Sequence, residues 1–417
     1  MSGFEGPDGA AADRASRGWS TLSTRMVRAG RPVVGEHGDG TEDGFVNAPV
    51  SRGSTVLFPS LQALRERGSK RYGHELTYGA CGTPTQFHLE SVIAEIEGGT
   101  HSQIVSSGLA AVTTPLLAFL GAGGHCLMPD CVYGPTRRFC DTMLRRMGIE
   151  TSYYDPMLTE PALQALMRPN TQVVFSESPG SHSFEVQDVP MLARVAHEHG
   201  AKLLVDNTWG IHVFQPFRHG ADVSIQALTK YAGGHADLVI GAVTVADEQD
   251  WHVLRDASIQ LGQYSSPDDC WLTLRGLRTL GVRLERQSRS AMAIAQWFAG
   301  RDEVARVLHP ALPGSPGHDI WRRDFTGASS LFGVVFRPEF DVGAVDAMVD
   351  ALGIFGIGES WGGYESLALP STPTITRTLA SSRFGGPACR FHIGLEDPDE
   401  LIVDLEGGLA VLRAASE

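Results

Sequence analysis

The chain has 417 residues, 42% of them hydrophobic and 20% charged, with a formal net charge of −14. That length predicts two or three domains around a large core, and the composition is that of a globular protein. The acidic balance argues against a nucleic-acid surface or a basic membrane patch, and no apolar run is long enough to cross a bilayer, so neither nucleic acid nor membrane is an expected partner.

Six cysteines (Cys81, Cys126, Cys131, Cys140, Cys270 and Cys389) include no C-x-x-C pair, which excludes a zinc finger and a disulfide framework. His197-Glu198-His199 lacks the i, i+4 histidine spacing of a metal-binding helix, so no metal is expected. Met1 to Gly18 is rich in Gly, Ala and Asp and has no signal-peptide core. A disordered leader and a cytoplasmic location are therefore expected.

In chain order, Ser20 to Gly30 reads as a short helix, and residues 31–60, rich in Gly, Pro and Ser, as an extended arm. An arm with no core of its own packs on something else, often another subunit. Past the turn-rich link from Tyr78 to Thr85, Leu89, Val92, Ile93 and Ile96 follow helical spacing, and Gly98-Gly99 closes that helix. Ile104 to Ala111 reads as a strand turning into a helix. Strands are then expected at 125–128, 150–154, 173–176, 203–206, 222–226 and 238–245, with helices at 136–147, 160–167 and 190–199 between them. This alternation predicts an α/β fold with a mostly parallel sheet and helices on both faces. Near residue 250 the pattern changes. Residues 251–296 form an Arg-rich helical stretch, 331–336 and 389–393 read as strands, and 399–413 as a helix, which describes a smaller α+β domain.

Two apolar runs carry the chemistry. One ends in Asp206 and the other leads to Thr229-Lys230. Ligands of open α/β sheets sit beyond the carboxyl ends of the strands, which places both charges at one crevice. On spacing alone, a structural ion pair and a pair of functional groups are both open. A desolvated lysine can form a Schiff base with a carbonyl, and pyridoxal 5'-phosphate (PLP) is such a carbonyl. PLP needs an imine lysine, a carboxylate for its pyridine nitrogen, a phosphate cup and a flat ring support. Lys230, Asp206, the Ser106–Leu109 strand-to-helix turn with Thr229, and Tyr133 offer all four. No G-x-G-x-x-G follows a strand and no G-x-x-x-x-G-K-[ST] occurs, which argues against dinucleotide and P-loop nucleotide sites.

These residues sit in segments that resemble, in order from about Tyr78 onward, the Cys/Met-metabolism family of PLP-dependent enzymes (fold type I). Within it they are most similar to the bacterial cystathionine β-lyases. The segments include Glu177-Ser178-Pro179-Gly180, Val205-Asp206-Asn207-Thr208-Trp209, Thr229-Lys230-Tyr231, the run from Arg275 to Leu284, Ser360-Trp361-Gly362-Gly363-Tyr364 and His392-Ile393-Gly394-Leu395-Glu396-Asp397.

The resemblance implies an aspartate-aminotransferase-like large domain (82–276), preceded by a leader and arm (1–81) and followed by a C-terminal domain (277–417). It implies that Lys230 holds PLP and moves protons, Asp206 pairs with the ring nitrogen and Tyr133 stacks on the ring. Gly108 and Leu109 bind phosphate through backbone N–H groups, with the Thr229 hydroxyl. Arg390 clamps the substrate α-carboxylate, while Ser360 and Trp361 shape the site near Lys230. Tyr78 reaches the phosphate of a neighbouring subunit, so a homodimer-built tetramer acting on a small amino acid is implied.

Three departures stand out. The family's arm carries Tyr-x-Arg, whereas Tyr78-Gly79-Ala80 stands here, and Arg71 is a candidate substitute. Ala227 stands where many relatives have Ser. Glu359 precedes Ser360-Trp361, where β-lyases carry Tyr and γ-acting relatives carry Glu. The leading expectation is a carbon–sulfur lyase doing β-elimination on cystathionine or a related S-substituted cysteine. The alternatives are γ-elimination or γ-replacement on a homoserine-derived or sulfonium amino acid, and a PLP-fold binding protein without catalysis.

Overall fold

A computed structural model describes residues 21–28, 45–379 and 384–415. The expected disordered leader and the first part of the arm lie outside the described residues.

The large sheet has seven strands: β1 (His101–Val105), β2 (His125–Pro129), β3 (Glu150–Tyr154), β4 (Thr171–Glu177), β5 (Lys202–Asp206), β6 (Val223–Gln226) and β7 (Gly241–Val245), in the order β1-β7-β6-β5-β4-β2-β3. Pairs from β6 through β5, β4 and β2 to β3 are parallel, and only β7 runs antiparallel to its neighbours. Alternate residues face opposite sides, as a pleated strand requires. Leu203 and Val205 join one core with helices Pro84–Glu97 and Val189–Glu198, while Leu204, Met128 and Phe175 join the other with helices Gly108–Phe119 and Glu248–Gln260.

Local chemistry fixes where the helices begin. Helix Pro84–Glu97 opens on a capping box in which the Thr83 N–H donates to Gln86 Oε1 at 2.6 Å, and it closes on Gly98 in the left-handed region (φ 82°). Asp188, Asp247, Ser266 and Asp397 cap later helices with their side chains.

The second sheet has the order β10-β11-β12-β9-β8, from β8 (Val304–Leu308), β9 (Leu331–Phe336), β10 (Gly356–Ile357), β11 (Leu367–Pro370) and β12 (Ala388–His392). The expected helical stretch 251–296 is three helices, Glu248–Gln260, Pro267–Leu277 and Leu280–Ala299. Gly262 (φ 66°) ends the first, and Ser266-Pro267 starts the second. The last of these helices belongs to both domains. Leu280 and Leu284 are in the core under the large sheet, whereas Ala291, Ile294, Ala295 and Phe298 pack with Phe332 and Phe391 of the small one.

Phe298 is completely buried, and its ring centroid lies 5.0 Å from that of Phe391. Phe298→Ala should destabilise the protein by about 3–5 kcal/mol in urea unfolding, through lost burial and the cavity left behind.

Candidate active site

The site is built at the carboxyl ends of the parallel strands. Asp206 ends β5, and the register sets it beside Glu177 at the end of β4. Thr208 folds back on Asp206, and both its N–H (3.0 Å) and its hydroxyl (2.6 Å) donate to Asp206 Oδ1. The same Thr208 oxygen accepts the Ala227 N–H at 2.9 Å, which ties the end of β5 to the turn that carries Lys230. Behind this pair lies Glu97, fully buried, accepting from Ser224, Asn207 and Gln226. Burial pushes Glu97 up to about 7 and Glu177, with the Asp206 charge beside it, up to about 8. Asp206 is also raised by burial, with Thr208 and then Lys230 pulling against it.

Of the three lysines in the sequence, Lys70 pairs with Glu75, and Lys202 pairs with Asp222 and Asp250. Lys230 instead lies in the crevice. Burial, followed by the Arg390 charge, lowers it to about 8, against the opposing pull of Asp206 and Glu359. Its Nζ donates to Ser360 Oγ at 2.6 Å and lies 5.5 Å from the Trp361 ring centroid. Ser360 sits at φ 74°, a strained position for a residue with a side chain. It is held there by Lys230 at its hydroxyl and by Arg390 Nη2, which donates to its carbonyl at 3.0 Å. Gly362 follows at φ 91°, where a Cβ would lie 2.7 Å from the Lys230 carbonyl carbon. Only glycine lets this loop of the small domain press onto the Lys230 backbone. Behind it, the Tyr231 hydroxyl meets Ser330 Oγ at 2.9 Å, and Ser330 Oγ meets His392 at 2.9 Å.

At the other end, Ser107 caps helix Gly108–Phe119 by accepting the Ala110 N–H at 3.0 Å. That cap leaves the N–H groups of Gly108 and Leu109 ahead of it for an outside acceptor. A Cβ on Gly108 would lie 2.5 Å from that of Ala227, so the turn needs both small residues. Ser106 Oγ donates to Gln263 Oε1 at 3.1 Å. The Thr229 hydroxyl is engaged in both directions with Ile240, donating to its carbonyl at 3.1 Å and accepting its N–H at 3.0 Å.

Tyr133 stands beyond β2, and its N–H donates to Glu177 Oε2 at 2.8 Å. Burial raises its phenol, and Glu359, Glu177 and Asp206 raise it further while Arg390 lowers it, so all four acid and base groups act on one crevice. Tyr78 is half exposed, and among the described residues no hydrogen bond joins it to Lys230, Asp206 or the Gly108 turn. Arg71 is occupied at the surface, donating to Tyr72 and to Asp256.

A cluster of buried carboxyls beside one amine of lowered pKa, next to an uncovered helix N-terminus, fits PLP. A protonated ring nitrogen would bring Asp206 the positive charge it lacks, and the phosphate would meet free N–H donors. The sequence reading assigned no role to Glu97, Glu177 or Thr208. The signals were present, as an acid before Gly98-Gly99, an acid at the end of β4 and a hydroxyl two residues past Asp206.

The fold and site define a PLP-dependent enzyme of the α/β kind. The chain belongs to the Cys/Met metabolism PLP-dependent enzyme family, whose model matches residues 23–410. It is 47% identical to a putative cystathionine beta-lyase of Rhizobium johnstonii, over 94% of this chain and 97% of that one. It is 41% identical to cystathionine beta-lyase MetC of Escherichia coli, over 93% and 98% of the two chains. Among solved structures, it superposes on cystathionine gamma synthase of Xanthomonas oryzae pv. oryzae in complex with cystathionine, with a TM-score of 0.85, 30% identity and coverage of 95% and 99%.

Glu97 has its folded-state pKa raised from 4.5 to about 7. Between those values the folded protein holds a proton that the unfolded chain has lost, so this group's contribution to stability falls as pH rises through that window. Glu97→Gln should lessen the stability difference between about pH 4.5 and about pH 7 by ~3 kcal/mol in urea unfolding.

Proposed function

We propose that this enzyme is a carbon–sulfur lyase that performs β-elimination on cystathionine or a related S-substituted cysteine. The observation that carries the reading is Lys230: a single amine lowered to about 8, held at a fixed place by Ser360 between Asp206 and Arg390. The 47% and 41% identical relatives bear names of that activity.

In this reading Lys230, Asp206, Gly108, Leu109, Thr229 and Tyr133 hold PLP, with Tyr78 contributed across a homodimer interface. Bound PLP supplies an electron sink for negative charge at the substrate Cα. Arg390 holds the α-carboxylate through its guanidinium fork. Lys230 Nζ takes the Cα proton, and a pKa of about 8 keeps an appreciable fraction of it neutral for that task near neutral pH. The Cβ–S bond then breaks, releasing the thiol, and hydrolysis yields pyruvate and ammonia. Ser360 orients the Lys230 amine, and Trp361 walls the site beside it. The working division is an arm through residue 81, a cofactor domain at 82–276 and a C-terminal domain at 277–417, assembled as a cytoplasmic homotetramer.

Glu359 favours a second reading. Its carboxylate is exposed and acts on Lys230, Tyr133 and Arg390 together. An acid there suits a cationic group on the distal part of a substrate, as in γ-elimination or γ-replacement on a homoserine-derived or sulfonium amino acid.

Incubation of the PLP-loaded enzyme with cystathionine, followed by identification of the keto acid, separates the two. Pyruvate is expected. Accumulation of 2-oxobutyrate instead would replace β-elimination with γ-elimination.

A further inference from the structure

We infer that Arg377 and Asp130 form a positioning clamp that ties the connection leading to Arg390 on the small sheet to the large-domain loop carrying Tyr133. The inference rests on the carboxylate role proposed for Arg390.

The chain leaves the small sheet at Pro370, the end of β11, and returns at Ala388, the start of the strand that carries Arg390. Between them it crosses to the large domain. Arg377 Nη1 donates to the Asp130 carbonyl at 2.5 Å, while Nη2 donates to the Ser181 carbonyl at 3.0 Å and to Ser183 Oγ at 2.6 Å. One guanidinium therefore holds two loops, the one after β2 that leads to Tyr133 and the one after β4 that follows Glu177. Glu177 itself accepts the Tyr133 N–H, so both loops bear on the same tyrosine.

Asp130 completes the clamp from below. Its side chain is fully buried and paired with Arg137, 2.6 Å away and itself 6% exposed. The same carboxylate accepts the Thr378 N–H at 2.9 Å and the Leu379 N–H at 2.9 Å. Arg137 also reaches Thr378 Oγ1 at 2.9 Å and stacks over the Tyr153 ring at 3.7 Å. A buried carboxylate is costly without donors, and here two of them are main-chain groups of the crossing segment. Undocking that segment would strip Asp130 of both. The planar fork of Arg377 matches three oxygens at once, which a lysine ammonium on a flexible stem does only in part. Neither Arg377 nor Asp130 hydrogen-bonds Lys230, Asp206 or Arg390 among the described residues, so each acts through the loops it holds.

The test uses PLP-loaded full-length enzyme and L-alanine, which carries the α-carboxylate but no leaving group at Cβ. Its Kd is read from the change in cofactor absorption, and hydrogen exchange reads the amides of Thr378 and Leu379. Arg377→Ala should weaken L-alanine about ten-fold or more and speed exchange at both amides, with the cofactor absorption of the free enzyme unchanged. Arg377→Lys should recover part of the affinity. Faster exchange with unchanged affinity would overturn the clamp, and so would loss of the cofactor band along with affinity, which marks a general folding role. If Arg377→Ala fails to fold, Asp130→Asn and Arg377→Lys are read the same way. Arg390→Lys, run alongside, should weaken L-alanine with exchange at 378 and 379 unchanged. An unchanged Kd there overturns the carboxylate reading itself, whereas an unchanged Kd confined to Arg377→Ala overturns the clamp alone.

Discussion

Everything in this site depends on the cost of burying acidic groups. Three carboxyls, Glu97, Glu177 and Asp206, converge on neighbouring strand ends, and the structure answers them with hydrogen-bond donors more than with cations. Glu97 receives three side-chain donors, Glu177 a backbone N–H, and Asp206 both polar groups of Thr208. These bonds oppose the cost of burial without overcoming it, which is why all three carboxyls sit above their ordinary range. In the proposed function a protonated ring nitrogen would give Asp206 a cationic partner, and Asp206 and Lys230 would meet the two ends of one ring. Among the described residues the two attract each other without a direct ion pair.

The same constraint explains why the site takes two domains. The large sheet contributes the acids and Lys230, and the small sheet contributes Arg390 and the Ser360–Gly362 loop. Lys230 is lowered partly because Arg390 is brought toward it, and Ser360 tolerates a left-handed backbone because both of those residues bind it. Helix Leu280–Ala299 gives the two cores a shared member, so the strain at Ser360 is carried by a well-packed scaffold.

Much of this was legible in the sequence because it is local. Apolar runs marked β5 and β6, and the residues at their ends marked the crevice. The helix at Pro84–Glu97 announced itself by its spacing and by Gly98. What stayed hidden is what tertiary contact decides. Strands β8, β10 and β11 are short and lack clean alternation, and they exist because β9, β11 and β12 respectively give them partners. The stretch at 251–296 keeps helical composition across its breaks, so its division into three helices is not marked in that composition. Glu97 reads as the polar end of an amphipathic helix until the fold sets it against residues more than a hundred positions away. The Arg377 contact to Asp130 spans 247 positions and follows no local pattern. The role proposed for the arm residue Tyr78, across a homodimer interface, is one that a single chain's geometry does not express.

The central claim is that, of the three lysines in this chain, Lys230 alone meets the cofactor. Borohydride reduction of the PLP-loaded protein followed by peptide mass spectrometry tests it directly. The account predicts a phosphopyridoxyl group on Lys230 and an unmodified Lys70 and Lys202. The group on either of those lysines, or on none, would contradict it.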